Sequence, residues 1–361
     1  MIVSYHAISH YLQRANACGT ASLLFPLDIV RTSMQYWVRT EKSGCLVKEF
    51  SELSIFAMPQ PYVSHFGLLE EPYKTTPNPR YLYVSPTHSL AIDKTVWTVT
   101  AKQGLAVCFG AAGTGKSTLA RELSQRLEDE PEVAYVFITN PNYPTPNQLL
   151  RAIIQEFGVP QSSNNYLNLL NIFKNFVYDQ AVNQGKTLVL ILDEAHTLTP
   201  PLLEMLRQLM NYESNEDKFI QIVLFAEELL RRRLNHPRFE NLLSRIVMSS
   251  TLENLSMVES AAMLKHRWTI AGGTDFPFTD EAVQRIYHYA RGIPRKLVIL
   301  AHNTLLVAAI TGADQIDRDM VDAVVRSRGL PDMQPEPQSD APRIIKSHSA
   351  DKKLVSVRRQ K

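Results

Sequence analysis

The sequence predicts an α/β fold, a parallel sheet with helices on both faces, followed by a small all-helical domain. Three observations predict it. A glycine-rich turn, Gly110-Ala111-Ala112-Gly113-Thr114-Gly115-Lys116-Ser117, lies between an apolar run and a helical pattern. From residue 105 to about 255, aliphatic runs alternate with helical stretches, as strand–helix units do. After Leu255 the apolar runs of strand type stop and four helical stretches follow.

The elements are justified in chain order. Leu105–Phe109 is a continuous apolar run and reads as a buried strand, with a helix from Ser117 to Leu127 behind the turn. Val133–Ile138 reads as the next strand, then helices from Asn147 to Phe157 and from Asn165 to Val182. Thr187–Leu192 is aliphatic enough for a strand buried on both faces. Thr199-Pro200-Pro201 opens a helix running toward Tyr212, with a hydroxyl cap and proline in the first turn. Phe219–Phe225 is a further strand. Ser256-Met257-Val258-Glu259 is a capping box whose helix ends at Gly272-Gly273. Thr279-Asp280-Glu281 opens a second helix closed by Gly292, Pro294 starts a third toward Gly312, and a fourth spans Arg318 to Arg326. His302 and Asn303 break the apolar run of the third, as expected of a packed helix.

The domain boundaries that follow are a nucleotide-binding core over 58–255, a helical lid over 256–330 and a disordered basic tail over 331–361. The tail holds four prolines, and from Arg343 to Lys361 it carries seven Lys/Arg against one Asp. Residues 1–57 lack sustained periodicity. They are expected to be an N-terminal extension that is not translated, with the chain starting at Met58, or else a short appended helical segment.

Composition narrows the function. Of 361 residues 45% are hydrophobic and 20% charged, which fits a globular protein, and a net charge of +2 gives no global basic surface for nucleic acid. Cys18, Cys45 and Cys108 are too few and too scattered for a disulfide framework or a zinc site. No apolar run approaches the length of a membrane span, and the start lacks a signal-peptide pattern, so a cytoplasmic location is expected.

The glycine turn is a complete phosphate-binding loop. Gly110, Gly113 and Gly115 let the backbone curl so that successive N–H groups face one anion, and the following helix points its positive end at the same place. Lys116 adds a full charge on the β/γ-phosphates, and the Ser117 hydroxyl can ligate Mg²⁺. The expected nucleotide-binding residues are Gly110, Ala111, Ala112, Gly113, Thr114, Gly115, Lys116, Ser117 and Thr118. A second motif closes the site. Asp193 and Glu194 follow the Thr187–Leu192 strand at its C-terminal end, where open α/β sheets bind ligands. Asp193 would hold Mg²⁺, and Glu194 would orient and polarise the attacking water. The tetrad Asp193-Glu194-Ala195-His196 also spells a helicase box, but helicases of that type need two tandem motors and a second is not found.

A nucleotide core with a helical lid is the AAA+ layout, and the stretch from Phe66 to about Arg328 resembles the general secretion pathway protein A (ExeA-like) ATPases. The likeness is carried by Phe66-Gly67-Leu68, Pro72-Tyr73, Pro77-Asn78-Pro79-Arg80-Tyr81-Leu82-Tyr83 and Ser85-Pro86-Thr87-His88. Asp193-Glu194-Ala195-His196, Asn211-Tyr212-Glu213-Ser214-Asn215-Glu216 and Gly292-Ile293-Pro294-Arg295 extend it. The resemblance implies that Arg245 is a finger acting on a neighbouring subunit and that Arg295 is the lid arginine reaching the γ-phosphate. Either guanidinium would stabilise charge developing on phosphate oxygens. It also implies a homo-oligomer with ATP and Mg²⁺ that remodels or recruits a protein partner in secretion or envelope assembly.

Two departures from the family open alternatives. The polar residue expected near the γ-phosphate is Ala226, which suggests slow hydrolysis or a low-turnover nucleotide switch. Secretion members often continue into a membrane helix, whereas this sequence ends on a basic tail. That favours a transposition-regulator ATPase assembled on double-stranded DNA.

Overall fold

Three central strands form where aliphatic runs bury on both faces, and two less buried strands flank them in a single parallel sheet. In the computed structural model, residues 60–161 and 163–328 are described. The expectations for 1–57 and 331–361 lie outside them. Five strands, β1 (Leu105–Gly110), β2 (Val133–Ile138), β3 (Thr187–Leu192), β4 (Ile220–Ala226) and β5 (Ile246–Leu252), lie in the order β2-β3-β4-β1-β5. Every neighbouring pair is parallel. Phe109 of β1 pairs with Ala226 of β4, and Leu224 of β4 pairs with Leu192 of β3. Gly110, Asp193 and Glu227 therefore leave the sheet along one edge.

Successive side chains point to opposite faces. On one face Val107, Leu190 and Ile222 pack against α4 (Pro146–Glu156), α5 (Tyr166–Tyr178) and α6 (Pro200–Leu209). On the other, Cys108, Ile191 and Phe225 pack against α2 (Pro86–Thr100) and α3 (Lys116–Glu128). Burial pushes the Cys108 thiol up to about 11, as suits a small buried hydrophobe. Two short helices, α7 (Glu228–Leu234) and α8 (Glu240–Leu243), lead from β4 to β5.

Four of these elements, α2, α7, α8 and β5, are not among those expected from the sequence. Helix α2 is rich in threonine, a residue that competes with helix. Here Thr95 and Thr98 turn their hydroxyls onto the carbonyls of Ala91 and Lys94, one turn back. Strand β5 sits at the sheet edge with alternate residues half-exposed, and its Ser249-Ser250 pair is a weak strand signal.

Beyond β5, α9 (Met257–Ile270), α10 (Asp280–Ala290), α11 (Pro294–Thr311) and α12 (Arg318–Arg328) make the lid. The capping box at Ser256 is formed in both directions with Glu259. A short helix before α2, α1 (Pro61–His65), does not pack on the sheet. Tyr62, Val63, Leu68 and Tyr73 are buried among lid side chains such as Leu264, Ile286 and Leu297. Leu69 N–H also donates to Ala271 O at 2.8 Å. This stretch, expected to start the core, goes with the lid because its aromatic and aliphatic side chains complete the lid's apolar interior. The His302 interruption is used here too, since its Nδ1 lies 3.0 Å from the Tyr62 hydroxyl.

One glycine fixes the joint between sheet and lid. Gly292 has φ of +70°, its carbonyl accepts from Leu255 N–H at 2.9 Å, and an added Cβ would overlap the Leu255 carbonyl oxygen. Gly292→Ala is expected to destabilise the protein by about 2–4 kcal/mol, from left-handed strain plus the clash. Urea denaturation checks this, and an unchanged midpoint would contradict it.

Candidate nucleotide-binding site

The turn after β1 curls as its glycines allow. Gly115, at φ of +107°, hands the chain directly into α3, whose first residue is Lys116. Lys116 is 5% exposed, and its Nζ donates to the carbonyls of Gly110 and Ala111, both at 3.0 Å. The ammonium is thus held inside the curl by the loop's own oxygens. The start of α3 adds the positive end of a helix of 13 residues.

Asp193 leaves β3 3% exposed, and its Oδ1 accepts from Glu194 N–H at 2.9 Å. Lys116 lowers and Asp193 raises the Cys108 thiol, so both charges lie within electrostatic reach of one sulfur at the end of β1. Glu194 takes a left-handed conformation, φ of +52°, which is uncommon for a residue with a side chain. The turn that follows is gripped from α7, where Arg233 donates to the carbonyls of Leu198 at 2.7 Å and His196 at 2.5 Å. Glu194, His196 and Glu227 converge, with one ligand atom of each within 4.8 Å of the others.

Some of these parts line a cavity of about 230 Å³, whereas Gly110, Ala111, Thr114 and Asp193 are not among its lining residues. The loop contributes Ala112, Gly113, Gly115, Lys116, Ser117 and Thr118, the sheet edge Glu194 and Glu227, and the lid Arg267 and Arg295. Lys74–Pro77 also lines it. The lid touches the loop directly, since Arg295 N–H, in the first turn of α11, donates to Gly113 O at 3.1 Å. Of the expected residues, Arg295 therefore meets the loop. Ala226, fully buried, ends β4 beside it.

Arg245 is placed elsewhere. It precedes β5 and lines a second cavity with Gly104, Lys218 and Glu213, at the opposite end of β1 from Gly110. Any action of Arg245 on a phosphate must be on a neighbouring copy. Glu227, Arg267 and Lys74–Pro77 are site residues that sequence reading passed over. Position signalled only Glu227, which directly follows the strand that ends at Ala226, whereas Arg267 lies in the last turn of α9 without any motif.

A parallel sheet in this order, a phosphate loop after β1, an acidic end to β3 and a lid whose helix meets the loop define a P-loop protein of the AAA+ class. Residues 99–234 match the AAA domain family. Over 256 residues the chain is 34% identical to General secretion pathway protein A of Aeromonas hydrophila, a match spanning 71% of this chain and 46% of that protein. The chain thus spans about half the length of that relative, and it is an AAA+ protein similar to general secretion pathway protein A. Two solved structures share the fold. Cdc6p of Pyrobaculum aerophilum is 15% identical with a TM-score of 0.55, over 72% of each chain. The ORC2 protein of Aeropyrum pernix is 20% identical with a TM-score of 0.52, over 68% of this chain and 71% of that one.

Proposed function

We propose that this chain binds ATP with Mg²⁺ between loop and lid, hydrolyses it, and uses the cycle to remodel or recruit a protein partner in the cytoplasm. The observation that carries this reading is the convergence of Lys116, Ser117, Glu194 and Arg295 on one cavity. The residues suit the nucleotide and its metal. The curl offers backbone N–H groups and an ammonium to phosphates, and Ser117 with buried Asp193 offers hard oxygen ligands of the kind Mg²⁺ takes. When bound, Mg²⁺ would neutralise charge on the β/γ oxygens.

The chain's own groups divide the remaining work. Glu194 orients and deprotonates the attacking water, Arg295 stabilises the γ-phosphate from the lid, and Lys116 holds the β/γ bridge. Ala226 supplies no hydrogen bond there, and Glu227 beside it adds a second carboxylate to a site that must accommodate anionic phosphate. Both features favour slow turnover. Arg245 acts in trans, within a homo-oligomer.

The match to general secretion pathway protein A supports a partner in secretion or envelope assembly. The test is light scattering of the protein with a slowly hydrolysed ATP analogue, followed by turnover of Arg245→Ala. A nucleotide-dependent oligomer, with turnover reduced and ATP affinity kept in the variant, is expected. A strict monomer contradicts the trans role. ATP-dependent, salt-sensitive binding to duplex DNA would assign the transposition-regulator reading instead.

A further inference from the structure

We propose that His88 is a positioning residue that presets the phosphate loop, by pinning the Thr114 carbonyl so that the Gly115 N–H faces the phosphate. This rests on the nucleotide reading above. His88 is 2% exposed and lies in the first turn of α2, outside the loop in sequence. Its Nε2 lies 3.1 Å from Thr114 O, and its Nδ1 lies 2.6 Å from Ser85 Oγ.

Partner chemistry assigns the tautomer. A carbonyl oxygen only accepts, so Nε2 carries the proton and donates to Thr114. Nδ1 is then the acceptor for the Ser85 hydroxyl. Ser85 is also the cap of α2, its Oγ accepting from His88 N–H at 3.4 Å. One serine therefore fixes both the helix start and the ring. Burial pushes the imidazole's pKa down, which keeps this neutral arrangement.

The consequence runs through one peptide unit. In a trans peptide the C=O and the following N–H point in opposite directions. Holding Thr114 O against His88 turns Gly115 N–H the other way, into the curl where the backbone donors of such a loop meet phosphate. Gly115 fits this role, since a Cβ there would sit 3.0 Å from His88 Nε2. The neighbouring carbonyl, Gly113 O, is held by the lid through Arg295 N–H. His88 thus holds the loop from α2, a second support beside the one from the lid.

The test compares His88→Gln, which keeps a donor at about the same reach, with His88→Met and His88→Ala, which have none. Fluorescent ADP and ATP titrations are run beside melting of the nucleotide-free proteins. Relative to wild type, Met or Ala is expected to weaken ADP and ATP about equally, on the order of 10-fold, with Gln within about threefold, the size expected for one hydrogen bond to a charged ligand. Turnover at saturating ATP stays within about threefold, because Gly115 serves binding and not the chemical step. If donor-free variants that melt like His88→Gln bind as tightly as it does, the inference is overturned and the nucleotide reading stands. If Gln binds as weakly as Met and Ala, it is likewise overturned. A wild type that retains no nucleotide overturns both.

Discussion

Lys116→Met is expected to abolish measurable retention of ATP, lowering affinity by about 100-fold or more. The ammonium is almost fully enclosed and bonded to two carbonyls, so a phosphate bound in the loop would meet it at low local dielectric, where a charge-assisted contact is strong. Truncating one partner of a buried, hydrogen-bonded charge pair costs about 2–5 kcal/mol. Methionine keeps most of the aliphatic stem, and with it the packing. The carbonyls of Gly110 and Ala111 lose their donor, which costs the folded state about 1–3 kcal/mol. Equilibrium dialysis with radiolabelled ATP is therefore paired with a melting curve. A folded Lys116→Met protein that binds ATP within threefold of wild type would remove the phosphate loop from the site.

The sequence displayed the loop, the acidic strand end and the lid because each is a local pattern. Three glycines and a lysine in eight residues, or an aliphatic run ending in two carboxylates, need no tertiary information to be read. What stayed hidden depends on who packs against whom. Helix α2 is read poorly because its threonines satisfy themselves only once the turn is formed. Strand β5 is an edge strand whose exposed positions admit serine. The Pro61–His65 helix and Tyr73 join the lid through contacts some 190 to 240 residues away in sequence, such as Tyr73 Oη donating to Leu264 O and Tyr62 Oη meeting His302. Arg267 reaches the cavity by the same long-range route, so only the folded chain places it there.

Glu194→Gln is expected to leave ATP affinity within about threefold and to lower turnover by about 100- to 10,000-fold, the range typical of a positioned general base. Glutamine matches the carboxylate in shape and can still hydrogen-bond a water, but it cannot take a proton from one. The backbone here is left-handed and the succeeding turn is clamped by Arg233, so the side chain's starting point is set by the fold and the substitution does not move it. Glu227 makes the experiment discriminating. It shares the cavity and the same cluster with His196, so a second carboxylate stands near enough to compete for the role. Phosphate release is measured for Glu194→Gln and Glu227→Gln side by side, at saturating ATP and Mg²⁺. Loss confined to Glu194→Gln assigns the base to the end of β3. Loss confined to Glu227→Gln moves it to the end of β4, where Ala226 left no polar group. In that case the left-handed turn at Glu194 serves to place Asp193 and not to activate water.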